Sequence, residues 1–472
     1  MPESISLTTL RTAQTDPALS TPSPTRMSMP ENPSVPPSET AAGVRADVFP
    51  RVAPAPAANW RFGFWSLIVT QFQGAFNDNA LKFLVIYLIV ERNFPSIVRD
   101  RLVLLVGSLF ALPFIIFAMA GGYFADRYSK RSVTIGTKIF EAGMMTFALI
   151  ALAIGHLPME AAAVFLISTQ GALFAPSKYG LLPELLPPKE LSWGNGVIEL
   201  GTFLAAITAT MASGFLAAAF RGRQVWSGVI LLAFTLSGLA ASFGISRVRA
   251  ADPARRFRAN PFADFGGQLR IIVQDRVLAW AVAGNMYIWF LAALLQFVIV
   301  IYGHDILRVD ETQISYLQAA VGLGIGIGSL AAGYLSFGTI EYGLVPLGAL
   351  GVTVFGFLVS RSGLSIWQVR SDLALLGFFG GFYAVPLNAL IQHRPAPEHR
   401  GGVIAASSLL SFVGIFLAAG VYFALSSFAH LNAAQIFLAG AIMTLAATFY
   451  SVFLLPDSVQ RLRRWVMDRF RG

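Results

Sequence analysis

Apolar blocks of about 20 residues recur twelve times between residues 64 and 455, separated by short polar stretches. A hydrocarbon core of about 30 Å takes about 20 helical residues to cross, at a rise of about 1.5 Å each. In lipid every backbone N–H and C=O must be satisfied inside its own segment, so each block is expected to be an α-helix. Strands of a membrane barrel alternate apolar and polar residues over about ten positions, and these blocks do not alternate. Composition removes the soluble alternative. Only 12% of the 472 residues are charged, against the roughly 25% that a water-facing surface takes. The expected fold class is an all-α membrane protein with twelve transmembrane helices.

The spans are expected at about 64–90, 102–125, 132–154, 160–180, 195–219, 225–245, 279–302, 313–337, 341–360, 372–392, 402–428 and 433–455. Residues 1–59 hold 11 of the 25 prolines and no apolar run, which reads as a disordered tail. That tail lacks the apolar core of a signal peptide. An even span count puts both termini on one side. That side, with the 126–131 loop and the 246–278 connection, collects 24 of the 34 Lys and Arg, so both termini are expected in the cytoplasm. The same distribution explains the net charge of +9 without nucleic acid. The expected divisions are the tail 1–59, a six-helix bundle 60–245, a basic cytoplasmic linker 246–278, a second bundle 279–456 and a basic tail 457–472. The linker arginines, Arg247 to Arg276, and the end Arg461-Leu462-Arg463-Arg464-Trp465 read foremost as topology signals, with lipid headgroups as the functional alternative.

The two halves repeat. Gly171-Ala172-Leu173-Phe174-Ala175-Pro176 lies 210 positions before Gly381-Phe382-Tyr383-Ala384-Val385-Pro386, each in the fourth helix of its half. Gly196-Val197-Ile198 pairs with Gly402-Val403-Ile404, and Gly122-Tyr123 with Gly333-Tyr334. Two parallel six-helix repeats are the plan of major facilitator transporters, whose substrate site lies between the halves near the bilayer midplane.

The first helix is the most informative. Gln71, Gly74, Asp78 and Lys82 recur at spacings of three and four, on one face. An ionised residue at mid-membrane costs roughly 2.5–3.5 kcal/mol on insertion scales unless it faces protein or water. Asp78 therefore reads as a substrate or ion contact in a central cavity, against an Asp78–Lys82 ion pair that only joins helices. Lys138 and Glu141 in the third helix, Lys178, and Glu199 in the fifth add charge, with Lys138, Lys178 and Glu199 near enough to helix ends to snorkel. Asn285 and Gln296 lie in the seventh helix, Asn388 and Gln392 in the tenth. The run Gly322-x-Gly324-x-Gly326-x-Gly328 sits inside an apolar helix and reads as close packing, not as a nucleotide loop. There is no cysteine, no metal-ligand spacing, no nucleophile arrangement and no Walker motif, so neither an enzyme nor a cofactor or metal is expected.

Gly122-Tyr123-Phe124-Ala125-Asp126-Arg127-Tyr128-Ser129-Lys130-Arg131 resembles the major facilitator signature loop, Gly-x-x-x-Asp-Arg-x-Gly-Arg-Lys/Arg. A small residue lets helices approach, and an aspartate can cap a helix and pair with arginine. Gly122, Asp126, Arg127, Lys130 and Arg131 are thus the expected cytoplasmic latch. Ser129 and Lys130 depart from the usual Gly and Arg, and Phe337 stands where the second half would hold its aspartate.

Gln71-Phe72-x-x-Ala75-Phe76-x-Asp78-Asn79-Ala80-Leu81 resembles the first-helix signature of the lysophospholipid transporter family. Asn77-Asp78-Asn79-x-x-Lys82 is more similar to the transporter half of its fusions with acyltransferase and acyl-acyl-carrier-protein synthetase domains. Pro176-Ser177-Lys178-Tyr179-Gly180-Leu181-Leu182-Pro183-Glu184-Leu185, Asn195-Gly196-x-x-Glu199 and Val385-Pro386-Leu387-Asn388-Ala389-Leu390-x-Gln392 extend the match over residues 70 to 400. The resemblance implies inward movement of a lysophospholipid such as lysophosphatidylethanolamine across a bacterial inner membrane for reacylation, by a monomer in contact with membrane lipids. It implies a polar path that includes Gln71, Asp78, Asn79, Lys82, Lys178, Glu199, Gln296 and Asn388. A carboxylate would meet the ammonium and a lysine the phosphate. Gln296 stands where family members carry arginine. No acyltransferase domain follows Gly472, so the expected partner enzyme is a separate polypeptide.

Two rivals remain at this stage. One is a proton-coupled drug or solute exporter of the same superfamily. Ile167 stands where such exporters carry arginine before Gln170-Gly171. The other is a membrane scaffold for a lipid acyltransferase.

Overall fold

The computed structural model describes residues 59–454 apart from 93, 257–260, 337–340 and 342. The first 58 residues, Phe337 and the Arg461–Trp465 end lie outside the described residues.

Fourteen α-helices account for nearly all of the described residues, among which there is no strand. The first half holds α1 (Trp60–Glu91), α2 (Ser96–Ile116), α3 (Ala118–Arg127), α4 (Lys130–Ile154), α5 (Leu157–Leu185), α6 (Leu191–Ala219) and α7 (Val225–Ser242). Next comes α8 (Pro261–Gln274), a helix inside what the sequence presented only as a basic connection. The second half holds α9 (Arg276–Ile301), α10 (Glu311–Leu335), α11 (Leu344–Val359), α12 (Ile366–His393), α13 (Arg400–Phe423) and α14 (Ala433–Leu454).

Among the described residues eight helices are long and apolar enough to span a bilayer, nine if the bent α2–α3 pair is one span. That pair turns by 42° just past Pro113, whose ring removes a helical N–H. The shorter apolar α11 and α14 and the polar α1 complete twelve crossings. Several helices run longer than their apolar blocks because polar ends are capped. Asp275 Oδ1 accepts from the backbone of Val277 at 3.0 Å and Leu278 at 3.2 Å, starting α9. Ser365 and Gln368 form a reciprocal box that starts α12 before its apolar run begins.

In each half, helices pack around their own apolar cluster, one including Leu84, Met145 and Ile167 and the other Leu294, Leu373 and Phe437. A third cluster joins the halves, with Phe64, Leu186 and Leu191 against Leu278, Leu390 and Ile404. The halves meet along two seams, α3 with α13 and α6 with α10. Lipid supplies no hydrophobic drive between helices, so close approach of small residues has to hold these seams. A Cβ on Gly122 of α3 would lie 2.6 Å from Ala405 Cβ and 2.9 Å from the Gly401 carbonyl of α13. A Cβ on Gly333 of α10 would lie 2.8 Å from Trp193 Cα and 2.9 Å from the Ser192 carbonyl of α6. The repeat pair Gly122 and Gly333 thus occupies matching places on the two seams.

The glycine run of α10 works in two directions. Gly324 and Gly328 sit against the Ala374 and Phe378 carbonyls of α12, where no side chain fits. Gly322 and Gly326 turn to α6, their Cβ positions 3.4 Å from Ile207 and 2.8 Å from Leu200.

Candidate functional site

The helix α1 is polar on more than one face, and its faces do different things. Gln73 and Asn77 tie it to its own half. Asn77 Nδ2 donates to Thr235 Oγ1 at 2.7 Å and to the Leu231 carbonyl at 3.1 Å on α7. Gln73 bridges Glu141 at 2.9 Å and Lys138 at 2.5 Å on α4, while Lys138 and Glu141 pair with each other at 2.5 Å. Both charged side chains of that triad have no solvent exposure. Lys138 therefore does not snorkel, contrary to expectation, because Glu141 lies one turn along the same helix and Gln73 faces it from α1.

The face carrying Gln71, Asp78 and Lys82 is less satisfied. Asp78 Oδ1 is shut off from solvent and accepts no hydrogen bond, and Oδ2 lies 3.0 Å from where Gly171 of α5 would carry a Cβ. Lys138, Lys178, Lys82 and Glu141 all act on it electrostatically. The Asp78–Lys82 ion pair weighed from the i, i+4 spacing does not form. Lys82 Nζ instead donates to Asn79 Oδ1 at 3.0 Å and lies 4.2 Å from the Phe110 ring centre and 4.4 Å from that of Phe83. Asn79 donates back to its own helix, at the Ala75 carbonyl. Gln71 is buried, with Oε1 accepting from Thr202 at 3.2 Å and Nε2 left without an acceptor.

Lys178 enters from α5, its ammonium 4.5 Å from the centre of the Tyr179 ring and within the field of both Glu199 and Asp78. Glu199 on α6 accepts from Tyr179 and, across the halves, from Asn388 of α12, each at 3.3 Å. The structure thus gathers half-buried Asp78, Lys178 and Asn388 and buried Glu199 into one polar group, with Gln71, Asn79 and Lys82 alongside. Gln296 is not drawn in. It is exposed on α9 and makes no hydrogen bond with that group, whereas Asn285, about three turns earlier, bonds Ser411 at 3.0 Å inside the second half.

Asp126 carries the densest contacts between the halves. It ends α3, is fully buried, and accepts from the Gly401 N–H at 2.6 Å and the Gly402 N–H at 2.8 Å, in the first turn of α13. It thereby caps a helix of the opposite half, where a negative charge also meets the positive end of the helix dipole. Arg255 from the linker pairs with the same carboxylate and with Asp264 of α8 at 2.8 Å. Arg127 donates to the Arg255 carbonyl. Arg131 holds the Phe243 and Ile245 carbonyls at 3.0 and 2.7 Å, and Lys130 is buried against Glu184 at 2.5 Å. Gly122 supplies the close approach beside them. Among the thirteen expected site residues, the five of the signature loop form one continuous patch.

Four residues that matter here were not among the expected site residues. Arg255 was one linker arginine among seven, with nothing to mark its partner. Asn195 and Gln392 exchange hydrogen bonds at 2.9 and 2.6 Å across the halves; Asn195 was visible only within a longer string, and Gln392 as a polar residue of the tenth helix with nothing to mark its partner. Gln73 falls outside the stripe read on α1.

The description "Major Facilitator Superfamily" matches residues 62–419. The "Lysophospholipid transporter LplT" of Klebsiella pneumoniae is 32% identical over 368 residues, 76% of this chain and 88% of that protein. The protein of that name in Cronobacter sakazakii is 30% identical over 367 residues, with the same coverage. Among solved structures, the human organic anion transporter MFSD10 superposes with a TM-score of 0.70 at 16% identity, over 84% of this chain and 100% of that one. An Escherichia coli fucose:proton symporter gives 0.67 at 14% identity, over 84% and 99%. These two likenesses show the fold.

Proposed function

Because the chain belongs to the major facilitator superfamily, and within it to the lysophospholipid transporter family, we propose that this multi-pass membrane transporter carries a zwitterionic lysophospholipid of the lysophosphatidylethanolamine type. The observation that carries this reading is the unpartnered Asp78 Oδ1 beside the Lys178 ammonium. A half-buried carboxylate and a half-buried ammonium that form no ion pair with each other leave both groups available to a guest. A headgroup with one ammonium and one phosphate satisfies both, as charge-assisted hydrogen bonds worth about twice neutral ones. Glu199 and Asn388 add a contact from each half, so the guest is read by both halves together. Asn79 and Lys82 extend the polar wall toward Phe83 and Phe110.

Transport proceeds by rocking of the two halves around that site, with residues 246–278 as the tether. Besides Glu199–Asn388, polar contacts join the halves at Asp126 and at Asn195–Gln392, and these two lie toward the linker end. We assign this structure to the state closed at that end. The bilayer is the bacterial inner membrane, both termini are cytoplasmic, and the guest moves inward to a separate acyltransferase or acyl-acyl-carrier-protein synthetase.

The test is uptake of labelled lysophosphatidylethanolamine into cells without other uptake routes, with the unmodified chain and Asp78→Asn at matched expression. Uptake that the substitution abolishes supports substrate and site. Uptake indifferent to it removes the site, and no uptake by a correctly inserted chain removes the substrate.

A further inference from the structure

At the linker end of the α6–α10 seam lies an open cavity of about 620 Å³ lined by aromatic and charged side chains. Trp60, Arg61 and Trp65 come from the first turns of α1, Lys189 from the short 3-10 turn Pro188–Glu190 that precedes α6, Trp193 from the first turn of α6, and Tyr334 from the end of α10. Trp65 is 51% exposed and Tyr334 63%. The walls are nevertheless ordered by one another. The Trp193 ring centre lies 5.0 Å from Phe64 and 6.2 Å from Trp65, and the Arg61 guanidinium lies 5.4 Å from the Trp60 ring. None of these residues takes part in the central polar group or the Asp126 patch.

Each component has a physical reason to be at a bilayer surface. Trp and Tyr place an apolar ring and a polar edge at headgroup depth. Arg and Lys there are phosphate donors. Glu190 also lines the cavity, leaving one net positive charge and one acceptor for a hydroxyl. That balance fits a phosphodiester without an ammonium.

We propose that this cavity binds an anionic phospholipid with a hydroxylated headgroup, of the phosphatidylglycerol type, from the linker-side leaflet. Arg61 and Lys189 hold the phosphate, Glu190 accepts from the headgroup hydroxyl, and the tryptophans line the glycerol and upper acyl chain. The cavity has walls from both halves, and Gly333 meets the α6 backbone at its floor. Parting the α6–α10 seam dismantles it. The lipid therefore binds the state closed at this end in preference, and by linkage favours that state. This site is independent of the transported guest.

The full-length protein is placed in phosphatidylcholine vesicles containing a minor fraction of phosphatidylglycerol, with bromine on the chains of one lipid at a time. Brominated phosphatidylglycerol is expected to quench tryptophan emission more than brominated phosphatidylcholine at the same fraction, and saturably. Arg61→Gln with Lys189→Gln is expected to weaken that excess by about ten-fold or more, as two charge-assisted contacts imply. An unchanged melting temperature in pure phosphatidylcholine shows that the variant is folded; if it melts early, the single variants Arg61→Lys and Lys189→Arg, which keep the charge, must retain the excess. Equal quenching by both lipids overturns the proposal, as does an excess that survives the double substitution. So does full displacement of the lipid by inorganic phosphate, which makes the site an anion site. An excess that appears only after removal of residues 1–58 assigns the cavity to that segment and likewise overturns it.

Discussion

Asn195 and Gln392 face each other across the two halves with both amide groups engaged, each donating to the other. Asn195 has no solvent exposure and Gln392 2%, so the pair is sealed from water in this structure. Exchanging such a hydrogen bond for water costs about 0.5–1.5 kcal/mol net, so under the proposed rocking the pair would add modestly to the stability of the state closed at the linker end.

The chain contains no cysteine, so the double variant Asn195→Cys/Gln392→Cys offers the only two thiols. A short bifunctional thiol reagent is expected to join them and stop uptake, while each single variant treated the same way continues. Uptake that survives joining, checked by fragment size after cleavage in the 246–278 connection, contradicts rocking of the halves at this point.

Asp78 and Lys178 are expected to read opposite ends of the guest. Asp78→Asn should lower lysophosphatidylethanolamine uptake by about ten-fold or more and lysophosphatidylglycerol uptake far less, since only the former brings an ammonium. Lys178→Gln should lower both. Competition between the two labelled lipids measures this directly, and equal losses from Asp78→Asn count against the ammonium contact.

Asp126→Ala removes two N–H acceptors from the first turn of α13 together with the Arg255 pair, where loss of a cap alone costs about 1–2 kcal/mol. Gly122→Ala instead wedges a methyl between α3 and α13, an overpacking worth about 1–3 kcal/mol. Both should shift the protein away from the state closed at the linker end. A lone cysteine at Ser192, buried where Gly333 meets α6, should then label faster with a water-soluble maleimide. Unchanged labelling in both variants separates this patch from gating.

The Lys138–Glu141–Gln73 triad is expected to hold α1 to α4 rather than to touch the guest. Lys138→Met alone leaves Glu141 buried without its cation and should destabilise by about 3–5 kcal/mol. Lys138→Met/Glu141→Leu should melt higher than either single variant, because no orphaned charge remains. Thermal unfolding in detergent decides it; a double variant less stable than both singles points to a role beyond pairing.

The twelve spans and their pairing into halves were legible because lipid imposes two constraints that sequence displays openly, span length and apolarity. The repeat was legible at Gly122 and Gly333 because close approach demands glycine, and the structure puts both on seams. Charge–charge geometry was not legible. The i, i+4 spacing offers Asp78 and Lys82 as partners, yet Lys82 leans on Asn79 and two phenylalanine rings. Lys138 looked free to snorkel because its partner Gln73 lies 65 positions away. Arg255 shows the same limit, since a linker arginine has no periodicity that could aim it at Asp126. Gln296 was placed by alignment alone, and its helix presents it to the outside.

The glycines of α10 decide what each of its two neighbours meets. Against α12 the contact is backbone on backbone, a keyed joint that transmits torque without slip. Against α6 the contact is mixed: Gly322 and Gly326 rest on Leu200, Phe203 and Ile207, side chains that can change rotamer and recover, while Gly333 meets the backbone of Ser192 and Trp193. One helix is thus keyed to its own half along the glycine run and bears on the other there through side chains, so under the proposed rocking that stretch would yield by side-chain torsions while the backbone contact at Gly333 would have to part.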